Sequence, residues 1–361
     1  MKYIYPLAAL VLLITSCNKK EEKTLDRSTT DWAHYNLEGD VKSVSITSKE
    51  VMNGNMDTGD TKYENPTEHD TELLFNEEGM LILEKKKNSS GGPYEQINYN
   101  GRNQKTEQVQ FINNNPGIKT SYGWDETNKF NTSIIRRNPD NTQIDRKEMK
   151  YKKGRLAEQI TYNLQDNPVD RITYSYDKEG NLINEDIYSG TENIVVRNVY
   201  EYNKDNKKVS EVRYDKDSLV IFSTSFEYDG DNLLMKEVKD GKGKTEYLQK
   251  MEYTDNNKVK YKTVTDNFDN SQTTEQFKYD EKGNKILWQV TKNEEPYMEV
   301  NYSYDDHNNM TGFSVTNKIN DETEKRAYTY KYDEKGNWIE KVIAIDGSPR
   351  FIEKREISYF D

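Results

Sequence analysis

Few residues of this chain have the types and spacings that catalysis or metal binding needs. The three histidines, His34, His69 and His307, have no second histidine and no cysteine near them, so the ligand spacing of a zinc site is absent. No Gly-x-Ser-x-Gly, glycine-rich phosphate loop or His-Glu-x-x-His occurs. Asp and Glu are abundant, but no pair stands out for the acid and base work of a glycosidase. The sequence therefore predicts no metal, no cofactor and no enzymatic activity.

Acidic turns are the next candidates, and Asp177-Lys178-Glu179-Gly180-Asn181 is the clearest of them. Calcium takes six to eight oxygen ligands, whereas one such turn offers too few and contains a lysine. An aspartate side chain can instead accept hydrogen bonds from nearby backbone N–H groups and start a turn. We interpret these residues as structural turn positions: Asp177, Gly180, Asn181, Asp280, Gly283, Asp333 and Gly336.

Aromatic side chains are the remaining candidates for ligand contact, since the chain contains 27 Tyr, 10 Phe and 4 Trp. Rows of aromatics along a sheet can stack on sugar rings or accept a partner protein. Packing between neighbouring hairpins through cross-strand pairs explains their placement at every repeat better. Trp288 and Trp338 differ from the others in size, and we expect these two to contact a glycan if any aromatic does.

The aromatics recur with a fixed period that predicts a repeat architecture. Twelve anchor residues follow one another at intervals of 24 to 28 residues, with a mean of about 26: Phe75, Tyr99, Trp124, Tyr151, Tyr176, Tyr202, Tyr228, Tyr253, Tyr279, Tyr304, Tyr332 and Tyr359. The residue two positions before each anchor is apolar or aromatic, and polar residues often lie between and beside them. This alternation is typical of a half-buried strand.

A turn signal follows the anchors. Asp or Asn comes directly after nine of the 12, and ten of the 11 turns have Gly or Asn four residues after the anchor, where a positive φ is required. Tyr151 departs from this, because Gly154 comes one residue early and predicts a shortened turn. Each period is therefore predicted to be one β-hairpin with a looser connection to the next. Longer connections are expected around 113–116 and 319–325.

The phrase Tyr-x-Tyr-Asp-x-x-Gly-Asn, best seen at 174–181, resembles the YD repeat of the Rhs family. The resemblance covers about residues 70–361 and is specific in four copies. It implies an all-β fold, in which about 11–12 antiparallel hairpin repeats form an extended, twisted or spiral sheet. No toxin domain follows the repeats, so the resemblance is closest to small YD-repeat lipoproteins of Bacteroidetes and does not imply toxin activity. Free edge strands at both ends of such a sheet predict a possible homodimer.

The N-terminus predicts export and lipidation. A positive start and an apolar run from Leu7 to Ile14 have the length of a signal-peptide core, too short to span a membrane. The run ends at Thr15-Ser16-Cys17, which resembles a bacterial lipobox and implies that Cys17, the only cysteine, carries the lipid. The predicted organisation is a signal peptide at 1–16, a lipidated N-terminus and tether at 17–37, and the repeat domain at 38–361.

Composition restricts the partners. Hydrophobic residues make up 32%, mean hydropathy is −1.11 and the net charge is −12, so nucleic acid is not expected as a partner. Lys, Glu and Asp are scattered along the strands, which argues against a lipid-facing sheet.

We expect a lipid-anchored protein of the outer membrane, surface-exposed or facing the periplasm, that binds or scaffolds an unknown protein or glycan. Its predicted contact with the membrane is the N-terminal lipid. The alternatives are an immunity or accessory protein of a polymorphic toxin system, and an enzyme acting on envelope polysaccharide.

Overall fold

Alternating side chains fold most of the chain into antiparallel strands. The computed structural model describes residues 26–51, 70–88 and 90–361, and Cys17 with the predicted signal peptide lies outside this range. Among the described residues, no helix is both long and apolar enough to cross a membrane. The elements are a 3-10 helix (Arg27–Thr29), the helix α1 (Asp31–His34) and the strands β1 (Val41–Glu50), β2 (Asp70–Phe75), β3 (Leu81–Lys87), β4 (Pro93–Tyr99), β5 (Lys105–Ile112), β6 (Asn115–Trp124), β7 (Asn131–Arg137), β8 (Gln143–Lys152), β9 (Arg155–Tyr162), β10 (Pro168–Tyr176), β11 (Leu182–Ser189), β12 (Asn193–Tyr202), β13 (Lys208–Asp215), β14 (Val220–Asp229), β15 (Asn232–Asp240), β16 (Thr245–Tyr253), β17 (Val259–Asp266), β18 (Ser271–Tyr279), β19 (Lys285–Lys292), β20 (Glu295–Tyr304), β21 (Met310–Asn317), β22 (Thr323–Tyr332), β23 (Trp338–Ile345) and β24 (Ser348–Tyr359).

The turns after the anchors have the conformation that the sequence predicts. Nine of the ten predicted Gly or Asn residues have a positive φ, for example Asn206 at 58° and Gly283 at 87°. The exception is Asn232, because Asp229 pairs directly with Asn232 and Gly230 takes the positive φ in a two-residue turn. The shortened turn after Tyr151 is confirmed, since Lys152 pairs with Arg155 around two residues.

The connections between repeats are tighter than predicted. Ile112 pairs with Asn115, so only two residues connect β5 and β6 where a longer loop was expected. The connections β19–β20 and β23–β24 are also two residues long. The connection between β21 and β22, which takes in part of 319–325, is longer, at five residues. Most described connections at both ends of the strands are therefore hairpin turns.

The sheet closes on itself, which corrects the expectation of an extended or spiral sheet. Each strand pairs antiparallel with the next, and β24 pairs with β1 from Val41 to Glu50, so the 24 described strands form a closed barrel. A closed sheet has no free edge. The two edge strands that were expected to pair with another chain pair with each other instead.

The segment before β1 is folded, although the predicted tether extends to residue 37. Trp32 is completely buried, and its indole N–H donates to the carbonyl of Val41 at 2.7 Å. It packs with Leu37, Val41, Val44 and Phe75 in the larger of two buried apolar clusters. The other cluster involves β22, β23 and β24. Most tightly packed side chains thus lie near the β24–β1 junction, whereas much of the remaining sheet is half-buried.

Candidate binding site on the turn rim

The turns after the anchors lie together at one end of the barrel, which we call the turn rim; the other connections form the far rim. Asp177 shows how the aspartate builds a turn: its Oδ1 accepts from the backbone N–H groups of Gly180 at 2.6 Å and Asn181 at 2.8 Å. Asp280 accepts from Asn284 N at 2.7 Å, and Asp333 accepts from Asn337 N at 2.9 Å. Each of these three aspartates therefore accepts backbone hydrogen bonds within its own turn.

Asparagine side chains connect neighbouring turns along the rim. Asn181 Nδ2 donates to Asn206 Oδ1 at 2.9 Å, and Asn232 Nδ2 donates to Asn257 Oδ1 at 2.9 Å. These contacts fix each turn relative to the next. The sequence showed the recurrence of Asn but gave no sign of this direct contact.

Most of the anchor tyrosine hydroxyls donate hydrogen bonds to backbone carbonyls. Tyr176 donates to the carbonyl of Leu156 at 2.9 Å, and Tyr279 donates to Val259 O at 2.9 Å. In each case the acceptor lies near the start of the return strand of the preceding hairpin, and the same bond recurs at Tyr151, Tyr228, Tyr253 and Tyr304. These hydroxyls tie adjacent hairpins together.

The last two anchors are different, because they bond turn aspartates rather than carbonyls. Tyr332 donates to Asp305, and Tyr359 donates to Asp333. Burial, with the hydrogen bond to the aspartate as the next cause, raises the pKa of each tyrosine to about 12. Burial of Asp333 opposes ionisation, but the Tyr359 hydroxyl and the backbone N–H groups together lower its pKa.

The N-terminal segment crosses the turn rim where the barrel closes. Asp31 accepts from Leu81 N at 2.6 Å and from Asn103 Nδ2 at 2.6 Å. On the other side of the junction, Asn337 accepts from Glu38 N at 2.7 Å and donates to Glu38 O at 2.8 Å. Sequence reasoning missed these residues, although a tryptophan in a polar stretch that starts with Thr30-Asp31, a helix-capping pattern, was a usable signal.

The two tryptophans singled out from the sequence lie on the sheet face of the anchors, which we call the aromatic face. Trp288 stacks on Phe277 with ring centres 6.4 Å apart, and its indole N–H donates to Glu275 at 3.0 Å. Trp338 has the Arg355 guanidinium 3.5 Å from its ring centre. They lie four strands apart, on the order of 19 Å at normal strand spacing. The structure does not bring them together, and their contact with a glycan stays a prediction.

A groove recurs between consecutive turns on the turn rim. One groove is lined by Tyr174 and Tyr176, with Arg155 from the preceding hairpin and Asp177 from the turn. Arg155 also lies 5.8 Å from the ring centre of Tyr176. The next groove has the same kinds of side chain, but Lys204 comes from its own turn, after Tyr200 and Tyr202, and Asp177 and Asn181 come from the preceding turn. A third contains Phe277, Tyr279, Lys258 and Asp280.

The grooves contain both aromatic and charged side chains, and some of these are partly buried. Burial, with the nearby Glu185 and Glu211 carboxylates as further causes, raises the pKa of Tyr200, so this phenol stays neutral at physiological pH. Each groove thus combines an aromatic pair, a cation and hydrogen-bonding oxygens. Among the described residues, no group of three or more His, Cys, Asp or Glu side chains could hold a metal.

The fold and the turn rim define a closed antiparallel β-hairpin repeat protein with periodic grooves. Searches with protein-family models and with curated protein sequences find no match. A solved structure of TcdB2-TccC3 without its hypervariable C-terminal region has a TM-score of 0.34 and 10% identity, covering 84% of this chain and 20% of that one. The TcdB2-TccC3-Cdc42 structure has a TM-score of 0.28 and 8% identity, covering 78% and 22%.

A porin-like protein from Bacteroides uniformis has a TM-score of 0.20 and 11% identity, covering 88% of this chain and 96% of that one. The present chain spans about a fifth of the TcdB2-TccC3 chains.

Proposed function

We propose that this chain is a YD-repeat, Rhs-like lipoprotein of the cell envelope that binds a glycan chain along its turn rim and catalyses no reaction. The supporting observation is that one groove recurs between consecutive turns, with the same kinds of side chain each time. A repeated site suits a repeated ligand. Neighbouring grooves are two strands apart, about 10 Å at normal strand spacing, a distance comparable with one disaccharide unit.

The groove chemistry suits sugars. The rings of Tyr174 and Tyr200 offer apolar faces for stacking, while Asp177, Asn181 and Arg155 offer donors and acceptors for hydroxyl groups. The grooves are open and shallow, so each one contributes little alone. Several grooves engaged by one polymer bind more tightly than any single groove, because the later contacts are intramolecular.

The proposed anchor is a lipid on Cys17. The first described residue of the chain is Asp26, next to the segment that crosses the turn rim. Eight residues separate Cys17 from Asp26, and the two Cα atoms can be at most about 30 Å apart. This tether would hold the barrel beside the outer membrane, either on the cell surface or on the periplasmic side.

Binding to polysaccharides by the full-length Cys17→Ser chain, which cannot be lipidated, tests the proposal. Tyr174→Ala with Tyr200→Ala removes one aromatic from each of two grooves, and we expect roughly tenfold weaker binding per groove. The matched control is Tyr188→Ala with Tyr214→Ala, because these tyrosines lie on adjacent strands but on the opposite face of the sheet. Equal binding by both double variants refutes the groove assignment. Binding of a protein but no glycan would refute the choice of ligand.

A further inference from the structure

The most exposed large apolar side chains of the described residues all lie on the far rim. They are Ile112, Leu164, Leu219, Phe268 and Ile319, each at the end of a strand or in a turn and each between 63% and 89% exposed. On the turn rim, Ile183, Leu234 and Ile286 are only 36–37% exposed. We call the five far-rim residues the apolar crown.

The apolar crown has a period of two repeats. Its members lie in the connections β5–β6, β9–β10, β13–β14, β17–β18 and β21–β22, and successive members are 52, 55, 49 and 51 residues apart. The connections between them are polar, for example Gly241-Lys242-Gly243-Lys244 and Asn293-Glu294. Apolar and polar connections therefore alternate around this part of the barrel.

The turns hold the crown residues in place. Asp215 Oδ1 accepts from the backbone N–H of Leu219, Asp266 Oδ1 accepts from that of Phe268, and Asn317 Oδ1 accepts from that of Ile319, each at 2.9 Å. The apolar side chains are thus presented on ordered turns, and burying them against a partner costs little backbone entropy.

The spacing of the crown limits what can cover it. Successive members are four strands apart, about 19 Å, so a small ligand cannot reach two of them together. A straight helix can contact two neighbouring members but cannot follow all five around the rim. All five lie at one end of a closed barrel, which places them close to one plane. A flat, continuous apolar layer, the boundary of a lipid bilayer, covers all five without a matching pocket for each.

The charge of the far-rim connections distinguishes between a second copy of the chain, an anionic membrane and a neutral membrane as the partner of the crown. The connections at 163–167, 216–219, 267–270 and 318–322 contain five acidic residues and two basic ones. Two crowns facing each other would bring like charges together, and so would a crown on an anionic membrane. A neutral phospholipid surface avoids both repulsions.

We propose that the apolar crown docks on a neutral phospholipid surface, with the five side chains inserted at the headgroup boundary. This goes beyond glycan binding, because it needs neither the grooves nor the lipid anchor. It orients the barrel so that the turn rim with its grooves faces away from the membrane. The eight residues between Cys17 and Asp26 can extend over about the length of a strand, so a lipid on Cys17 can enter the same membrane.

Flotation of the predicted mature chain from residue 18 onward, which lacks the apolar signal peptide and the lipidation site, with vesicles of phosphatidylcholine and phosphatidylethanolamine tests the proposal. The chain is expected to float with the vesicles. Leu219→Asn with Phe268→Asn should lower the partition coefficient about tenfold or more, and anionic lipid in the vesicles should weaken binding. Ile183→Asn with Leu234→Asn on the turn rim is the matched control and should bind as the parent does.

Failure of the parent chain to float overturns the proposal, and so does equal flotation of the crown variant. A crown variant that only dissociates a concentration-dependent oligomer assigns the surface to a second copy and also overturns it. If the double variant does not fold, Phe268→Trp provides a second measurement. Vesicles should shift its fluorescence emission to shorter wavelength, and an unchanged spectrum contradicts insertion.

Discussion

A disulfide across the β24–β1 junction tests the closure of the barrel. Ser43 pairs with Ser358, and their hydroxyl oxygens are 2.6 Å apart. Directly paired strand residues have the Cβ separation that a disulfide needs. In a Cys17→Ser background, Ser43→Cys with Ser358→Cys is therefore expected to form an intramolecular disulfide on oxidation. In an open sheet the two residues would lie at opposite edges.

The size of the effect follows from the length of chain that the bond encloses. For a loop of about 316 residues, the chain-entropy relation gives about 5.7 kcal/mol of stabilisation, against about 3.1 kcal/mol for a loop of about 16 residues. Ser210 and Ser225 are paired within one hairpin and provide the short loop. The junction disulfide should thus raise the free energy of unfolding by about 2.6 kcal/mol more than the hairpin disulfide.

The assay combines thiol titration, mass spectrometry and urea unfolding with and without reductant. Ser43→Cys with Ser225→Cys is the negative control, because β1 and β14 lie far apart around the barrel and should leave two free thiols. Free thiols in the oxidised Ser43–Ser358 variant, or a disulfide between two chains in place of the internal one, would refute closure.

Two further predictions concern stability. Trp32→Ala should lower the free energy of unfolding by about 3–5 kcal/mol, because Trp32 is fully buried at the junction and its indole bonds Val41; a loss below about 1 kcal/mol in urea unfolding would show that the segment is dispensable. Acid should destabilise the barrel. The Thr127 hydroxyl and the Phe130 backbone N–H hold the pKa of Asp125 at about 2, and the pKa of Asp177 is also lowered, since the turn's Asn181 side chain and backbone N–H groups outweigh burial. The stabilisation from these two aspartates is present above the ordinary aspartate pKa near 4 and is lost as pH falls toward 2. Asp125→Asn should therefore make the free energy of unfolding depend less on pH between about 4 and 2. An unchanged pH dependence contradicts the role assigned to Asp125.

Local conformation was readable from the sequence because it depends on a few neighbouring residues. The Gly or Asn at the positive-φ position of a turn acts through its own backbone preference, and nine of the ten predicted positions were correct. Asn232 was wrong because Gly230, two residues earlier, accepts the positive φ and allows a two-residue turn. The two-residue connection at Asn113-Asn114 was missed because asparagine also accepts a positive φ at those positions.

The binding grooves were only partly readable. The recurrence of Tyr174 and Asp177 was visible in the sequence, but the arrangement in which Arg155, from the preceding hairpin, lines the same groove was not. The sequence also contained the spacing of the apolar crown. That spacing indicates a shared surface only when it is known which turns lie on the same rim. Sequence periodicity alone does not show this.

The sequence by itself determined the hairpin, the repeat and the residues that turn the chain, because strand alternation and turn chemistry act over a few residues. The tertiary structure alone decided that the sheet closes. Closure depends on the small twist and curvature accumulated over 24 strands and on contacts such as Val44 with Ile357 and Glu38 with Asn337, which are about 300 residues apart in the chain. No local pattern specifies such a sum, so the closed barrel, its junction and its two rims become visible only in three dimensions.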